Sequence, residues 1–375
     1  MSSSKKNDVI SKASPHTIKK FEVIEEYIKS WAQKLMLNEN CNGLIFIDCM
    51  CNSGVYIDGE GNIIYGTPVR VANALLDVAH TYPYKQIHQY FNDICEKKIS
   101  KLQKHLPENE RNYRAVTSVG DANELLKTIG PQLNQNSHMH YFLLYDPYDA
   151  SIDWEALIPF FRNWGEVMIN HMVSDPVRAI NSAKNKTAKE KYENTYLADF
   201  EKLVPYGSDK NAYEKRVESI IKTLKGTRNY YVAAFPFYNS QNSQMYNLIH
   251  CTSSKKGFIL YKKSAWKVFG AQSSTKHTHN NENQLAFDAN GMITTETDES
   301  CFKVSDIAKY LQKEFSGEKN VPLRELWEKL EEHPIFPSDG YRNDIKDILI
   351  KTYGANKIQI LNIESGKKEY VFSFR

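Results

Sequence analysis

The sequence predicts an α/β fold with a mostly parallel sheet, followed by a small C-terminal domain. Short apolar runs alternate with amphipathic segments of helical period from residue 15 to residue 173. This alternation is typical of a parallel sheet with crossover helices. Further on, two apolar runs flank the polar turn YNSQNSQ, which predicts an antiparallel hairpin that completes the sheet.

The elements of the first domain are predicted in order. Ser14 and Pro15 form an N-cap and a first-turn proline, and apolar residues at helical spacing follow. GLIFID is a buried strand, CMCNSGVYIDGEGNIIYG is a loop, and GTPVRVANALLDVAHTY is a helix with Thr67 as its cap and Pro68 at its first position. The strands that follow are IHQYFND, YRAVTSVGDA, HYFLLYDPYD and EVMINHMV, and the helices between them are ICEKKISKLQKHL, NELLKTIGPQL and WEALIPFFRNW.

Composition suggests where the domains divide. We predict a first domain at 1–271 with a helical, lysine-rich insert at about 178–225, a polar linker at 272–300, and a second domain at 301–375. In the second domain, VPLRELWEKLEEH and YRNDIKDILIKTYG are helices and IQILNIESGKKEYVFSFR is a hairpin. Two helices and a two-stranded wing are the order of a winged helix-turn-helix, which binds DNA or docks a protein.

Bulk composition limits the function classes. The net charge is +3, so a nucleic-acid surface has to be a local patch. No apolar run is long enough to span a membrane and no signal peptide opens the chain, so a cytoplasmic protein without a membrane partner is expected. Cys49 and Cys51 are interpreted as small buried thiols at a strand end, and no metal site is predicted.

Acids stand at the ends of four predicted strands: Asp48, Asp93, Asp121 and Asp146. Ligands of open parallel sheets bind at the carboxyl ends of the strands, near the point where strand order reverses. Four successive acids, with a glycine turn after the first, therefore predict a nucleoside pocket. The alternative is that each acid caps the helix after it, because a helix N-terminus favours negative charge.

The pocket predicts S-adenosylmethionine (SAM) before NAD or ATP as the cofactor, because the phosphate-binding glycine fingerprints are absent. Gly54 would let the backbone approach the ligand, Asp93 would bind ribose hydroxyls, and Asp121 would bind the adenine amino group. The predicted cofactor-binding residues are Asp48, Asn52, Ser53, Gly54, Asp93, Asp121 and Ala122.

The catalytic prediction is Asp146, Pro147 and Tyr148, after the fourth strand. An exocyclic amine is a poor nucleophile while its lone pair is delocalised into the ring. A carboxylate and a main-chain carbonyl fixed by proline can accept its two hydrogens, and an aromatic ring can stack on the extruded base. The alternative is a tight Asp-Pro turn with Tyr148 packed on the surface.

With these motifs the sequence resembles the three-Cys-motif partner proteins (TcmP) over nearly its whole length. The motifs that carry the resemblance are FIDCMCNSGVY (46–56), GTP (66–68), GDAN (120–123), LLYDPYDASIDW (143–154) and FPFYNSQNSQMYNLI (235–249). The resemblance implies a Rossmann-like methyltransferase fold, a C-terminal winged helix, and a radical-SAM-like three-Cys-motif protein as partner. It also implies a role in nucleic-acid modification or phage defence.

The leading hypothesis is therefore SAM-dependent methylation of an amino group of a base in DNA or RNA, with DNA ranked before RNA as the partner. The family's glycines are replaced by Cys49, Asn52 and Asp149, and its alanine by Cys51. These departures favour an alternative, a non-catalytic adaptor that binds DNA or a partner protein through its winged helix. A nuclease is a third alternative, without a close pair of acids to hold magnesium.

Overall fold

The computed structural model describes residues 9–133, 137–173, 186–199, 202, 210–225, 230–276, 286–287, 293–294, 300–361 and 368–375. The chain forms two compact units, Met1–Tyr261 and Lys262–Arg375. The predicted linker at 272–300 lies mostly outside the described residues.

The first unit contains the elements of the predicted α/β domain. Its strands are β1 (Ser11–Lys12), β2 (Gly43–Asp48), β3 (Val55–Ile57), β4 (Ile63–Tyr65), β5 (Gln86–Asp93), β6 (Tyr113–Val119), β7 (Met139–Tyr145), β8 (Gly165–Met172), β9 (Tyr231–Tyr238) and β10 (Gln244–Thr252). Its helices are α1 (Pro15–Met36), α2 (Thr67–Thr81), α3 (Glu96–Gln103), α4 (Ala122–Gln132), α5 (Trp154–Leu157), α6 (Lys186–Tyr196) and α7 (Lys210–Lys225). Helix α8 (Lys255–Phe269) contains the boundary between the units.

Seven strands form one sheet in the order β6-β5-β2-β7-β8-β10-β9. If these seven strands are numbered 1 to 7 in the order in which they occur in the sequence, their order across the sheet is 3-2-1-4-5-7-6. This order extends that of a doubly wound sheet. Strand β10 is antiparallel to both its neighbours, and the other pairs are parallel. The predicted Rossmann-like α/β sheet with a terminal antiparallel hairpin is confirmed.

The apolar pattern explains why this sheet forms. Five consecutive residues of β7, from Tyr141 to Tyr145, are buried, as expected for a strand covered on both faces. On α1 the helical-period residues Phe21, Ile24 and Ile28 are buried, and the Ser14 hydroxyl accepts the Thr17 amide at 3.4 Å as the N-cap. The predicted first helix is therefore confirmed with its cap.

Four local expectations are corrected. The segment predicted as a loop after β2 contains the hairpin β3–β4, which pairs with β1. Gly66, not Thr67, is the N-cap of α2. The helix predicted after β7 is a single turn, α5, continued by a 3-10 turn at Ile158–Phe160. Helix α8 was not predicted, although Phe258, Tyr261 and Ala265 recur at helical spacing in its sequence.

The second unit contains three described helices and a three-stranded antiparallel sheet. Its elements are α9 (Val304–Glu314), β13 (Val321–Pro322), α10 (Leu323–Glu332), α11 (Arg342–Lys351), β14 (Asn356–Leu361) and β15 (Lys368–Ser373), preceded by the short strands β11 (Ala286–Phe287) and β12 (Ile293–Thr294). The sheet order is β13-β15-β14. The two predicted helices and the hairpin strands are present, and the winged-helix assignment stays a prediction.

Two kinds of feature are absent from the described residues. None of the helices there combines the length and apolarity needed to cross a membrane. Within the same residues, no three His, Cys, Asp or Glu side chains stand close enough together to hold a metal ion.

Candidate active site

A cavity of about 260 Å³ lies at the carboxyl ends of β2, β7 and β8. Strand order reverses here, because the chain continues from β2 to β5 on one side and β7 occupies the other side. The sheet register pairs Asp48 with Leu144 and Tyr145 with Ile169. The residues that follow these pairs therefore meet at one edge of the sheet, where ligands of such folds bind.

The cavity brings five of the predicted site residues together. Asp48, Asn52, Asp146, Pro147 and Tyr148 all contribute to its wall. All three predicted catalytic residues are thus beside two of the predicted cofactor-binding residues. The other five predicted cofactor-binding residues do not line this cavity.

Asp146 is held by one partner on each carboxylate oxygen. Lys20 Nζ lies 2.6 Å from its Oδ2, and Asn170 Nδ2 donates to its Oδ1 at 2.6 Å. Such charge-assisted bonds fix the orientation of the carboxylate. Each oxygen still has a free lone pair, so Asp146 can accept a further hydrogen bond from a ligand.

Sequence reasoning missed both partners of Asp146. Lys20 occupies a position on the buried stripe of α1, with Ile24 four residues and Tyr27 seven residues further on. Asn170 is an amide in the apolar run of β8. The signal that could have identified them is a charged or amide side chain at a position where the spacing of apolar residues predicts a buried residue.

The carboxyl group of Asp48 is buried directly beside Asp146. Burial raises its pKa from 3.8 to about 8, and the negative charge of Asp146 adds to the effect, while the Met50 amide, which donates to Oδ1 at 3.2 Å, opposes it. At neutral pH the side chain is therefore a neutral acid that can donate a hydrogen bond. A buried neutral acid can perform a different task from a second acid in the same site.

Tyr148 extends across the strand ends toward helix α3. The Lys98 ammonium contacts its hydroxyl and lies 4.7 Å from the centre of its ring. Lys98 is buried, whereas Tyr148 is 47% exposed. The ring therefore keeps an accessible face on which a planar group can stack.

Asp93 and Asp121 bind the backbone of the protein. Asp93 is buried and accepts the amides of Asn52 at 3.1 Å and Cys95 at 2.9 Å. Asp121 is the N-cap of α4 and accepts the amides of Asn123 at 2.9 Å and Glu124 at 3.0 Å. Ala122 is the first residue of that helix. The capping alternative thus describes what Asp121 does in the structure.

The structure gives Ser53 and Gly54 a role inside the protein. The Ser53 hydroxyl is buried and donates to the Val55 carbonyl at 3.0 Å. Gly54 has a φ of +67°, and a Cβ there would lie 2.7 Å from Leu102 and 2.8 Å from Val69. The predicted close approach of Gly54 to a ligand stays a prediction. Glycine is needed there for backbone conformation and packing.

The cysteines on either side of β2 are free thiols. Cys49 and Cys51 are buried, and burial, followed by the charge of Asp48, raises the pKa of both. Both side chains therefore stay protonated and neutral. The interpretation of Cys49 and Cys51 as small buried thiols is confirmed.

The loop after Tyr148 is held by the helical insert. Asp149 pairs with Lys191 of α6, and Trp154 Nε1 donates to the Thr195 carbonyl at 2.8 Å. The charge of Asp149, which replaces a glycine of the resembled motif, is thereby compensated. The insert thus stabilises the segment that carries the candidate catalytic residues.

No protein-family model and no curated protein matches the chain. Solved structures that it is similar to include the O-methyltransferase from Bacillus cereus in complex with SAH, at 10% identity over 61% of this chain and 80% of that one, with a TM-score of 0.33. Two others are the SAH-bound Podospora anserina methyltransferase PaMTH1 (11% identity over 60% of this chain and 76% of that one, TM-score 0.28) and a loganic acid methyltransferase with SAH (10% identity over 68% and 85%, TM-score 0.27). Because these TM-scores are low, we base the fold assignment on the strand order alone.

Proposed function

We propose that this protein is a SAM-dependent methyltransferase acting on an amino group of a nucleic-acid base. One observation carries the proposal: the Asp146-Pro147-Tyr148 segment and the neutral acid Asp48 line the same cavity, at the point where strand order reverses. A hydrogen-bond acceptor, a rigid turn and an accessible aromatic ring are the groups that an extruded amino base requires.

The lining residues fit the methyl donor. SAM carries a sulfonium and an ammonium, and both cations favour carboxylates and aromatic faces. Asp48, which would ionise beside the bound cation, and the ring of Tyr56 supply these groups. Asp48 and Asn52 would hold the methionine end. When bound, the cofactor supplies an electrophilic methyl group.

The protein's own residues then act on the amine. Asp146 accepts a hydrogen bond from the amino group, which localises the nitrogen lone pair, and it can take the proton released after transfer. Lys20 and Asn170 hold the Asp146 carboxylate in position. Tyr148 stacks on the base and excludes water from one side.

The proposal extends to the partners implied by the motif resemblance. DNA is proposed before RNA as the nucleic acid, and a three-Cys-motif protein of radical-SAM type as the protein partner, in nucleic-acid modification or phage defence. The second unit would bind the duplex or the partner as a winged helix. A salt-dependent DNA titration of the full chain, with and without the partner protein, tests this part, because phosphate contacts give a steep loss of affinity with salt.

A methyl-transfer assay tests the catalytic proposal. The chain is incubated with methyl-labelled SAM and unmethylated DNA, alongside an Asp146→Ala variant. We expect label in the DNA with the wild-type chain, and at least a roughly 100-fold lower single-turnover rate with the variant, in the range of lost acid–base catalysis. The dissociation constant for SAM should change less than threefold. Full transfer by the variant would contradict the role of Asp146.

The second candidate function is a non-catalytic adaptor. Side chains of Cys51 and Asn52 line the cavity where the resembled motif has small residues, and Lys98 holds Tyr148 in place. These contacts favour a closed site. Binding of DNA or partner protein without any binding of SAM would support this function over transfer.

A further inference from the structure

Asn170 has an acceptor that the protein leaves without a partner. Its side chain is 3% exposed and lines the cavity, and its Oδ1 is buried without a hydrogen bond. The nitrogen of the same amide donates to Asp146 at 2.6 Å. An ionised carboxylate can only accept hydrogen bonds, so this bond fixes which end of the amide is the oxygen.

A buried amide oxygen without a partner costs free energy that a ligand can recover. The oxygen is shielded from water, so a donor reaches it through the cavity that Asn170 lines. Because Nδ2 of the same amide bonds to Asp146 Oδ1, Asn170 Oδ1 lies beside the Asp146 carboxylate. The two side chains together form a pair of neighbouring acceptors at the cavity wall.

We propose that Asn170 Oδ1 and the Asp146 carboxylate are the paired acceptors for the two hydrogens of a planar amino group, so that Asn170 is a substrate-selecting residue. This inference rests on the proposed function and names the group that the site selects. It differs from the sequence-based expectation, which assigned the second hydrogen to a main-chain carbonyl at the proline.

Paired acceptors give selectivity through what they exclude. An exocyclic amine, as in adenine or cytosine, satisfies both oxygens. A carbonyl at the same position, as in thymine, would place a third acceptor against two others and leave all of them without a donor, which costs more than a missing contact. The selected class is therefore a base with an exocyclic amine rather than a carbonyl.

The surrounding charges agree with a neutral donor. Lys20 and Asp146 compensate each other within the cavity. Burial, followed by the charge of Lys20, lowers the pKa of His16, which also lines the cavity, so this side chain is neutral at pH 7. Together with the neutral Asp48, the described ionisable lining groups have no net charge, which suits the neutral amine of a base.

The test compares bases that differ only in the amino group. Two pairs of 12-mer single-stranded oligonucleotides carry one central adenine or purine, and one central cytosine or 2-pyrimidinone. Affinity for the full chain is measured in the presence of SAH. We expect the amino member of at least one pair to bind roughly tenfold or more tightly, the effect of a hydrogen bond to a buried acceptor. This comparison uses the wild-type chain and needs no variant.

An Asn170→Leu variant assigns the preference to this residue, because leucine keeps the volume and removes the amide. It should reduce the amino-group preference to less than threefold. Asn247→Leu is the matched control: Asn247 is a buried amide of β10 that pairs in register with His171, on the opposite face of the sheet. This control should lose stability without losing the preference.

The outcomes separate the two proposals. Equal or absent binding of both members of each pair overturns the acceptor-pair inference, and so does an unchanged preference in Asn170→Leu. Calorimetry with SAM, run on the same samples, reports on the proposed function independently. Cofactor binding without amino-group preference would overturn this inference alone, whereas absence of cofactor binding would overturn the proposed function.

Discussion

Replacing Asp48 with asparagine should make the protein more stable at neutral pH. The folded chain keeps this buried carboxyl group protonated up to about pH 8, whereas the unfolded chain releases the proton near pH 3.8. Between these values the folded state binds one more proton than the unfolded state, so stability falls as the pH rises through this window. The introduced asparagine would be neutral at every pH and would keep an oxygen for the Met50 amide.

The structure sets the size of the effect. Each pH unit in the window costs the wild-type chain about 1.4 kcal/mol of unfolding free energy. Over the roughly three units from the ordinary pKa to pH 7, Asp48→Asn should gain about 4 kcal/mol relative to wild type. Near pH 4 the pH-dependent penalty on the wild-type chain is small, so the difference should nearly vanish there.

Equilibrium urea unfolding at pH 5, 6 and 7 measures this difference. Because the chain has two compact units, the transition of the first unit is fitted separately. Asp77→Asn, at an exposed position on α2, is the control and should show no pH-dependent change. A difference that stays constant from pH 5 to 7, or a wild-type chain that is more stable at pH 7, would refute a neutral Asp48.

Three further predictions concern the cavity and the loop that follows β2. Lys20→Met should cost about 2 kcal/mol, because Asp146 would lose its cation, whereas exposed Lys19→Met should cost less than about 0.5 kcal/mol in the same urea assay. Gly54→Ala should lower the free energy of unfolding by about 3 kcal/mol, because φ would be strained and the Cβ would meet Leu102 and Val69. Gly59→Ala, with open space around the Cβ, should leave the stability unchanged. Equal losses in the two variants would contradict this. SAM affinity, measured by calorimetry from pH 6 to 8, should rise by up to about tenfold per pH unit, because the SAM cation favours the ionised form of Asp48. An affinity that does not change with pH would count against Asp48 as the partner of that cation.

The sequence predicted the succession of the main strands and helices along the chain because each central strand is a short apolar run covered on both faces. It predicted the convergence of Asp48 and Asp146 for the same reason, since parallel strands must end at one edge of the sheet. These features depend on local pattern and on a topological rule. Neither requires knowledge of side-chain positions.

The sequence could not predict which atoms the acids would bind. Asp93 and Asp121 have the same pattern as Asp48 and Asp146, yet their oxygens accept backbone amides of the following loops and helix. Lys20 is 126 residues from Asp146 in the chain, and no periodicity reveals a contact over that distance in sequence. The hairpin after β2 was missed because its strands have only three residues each, too few to show alternation.

A calorimetric titration of SAM into the full chain is the most direct test of the central claim. We predict saturable binding at pH 8, together with proton release as Asp48 ionises, and loss of that proton release in Asp48→Asn. The absence of binding by SAM and by its demethylated product at millimolar concentrations would contradict the assignment of this cavity as a methyl-transfer site.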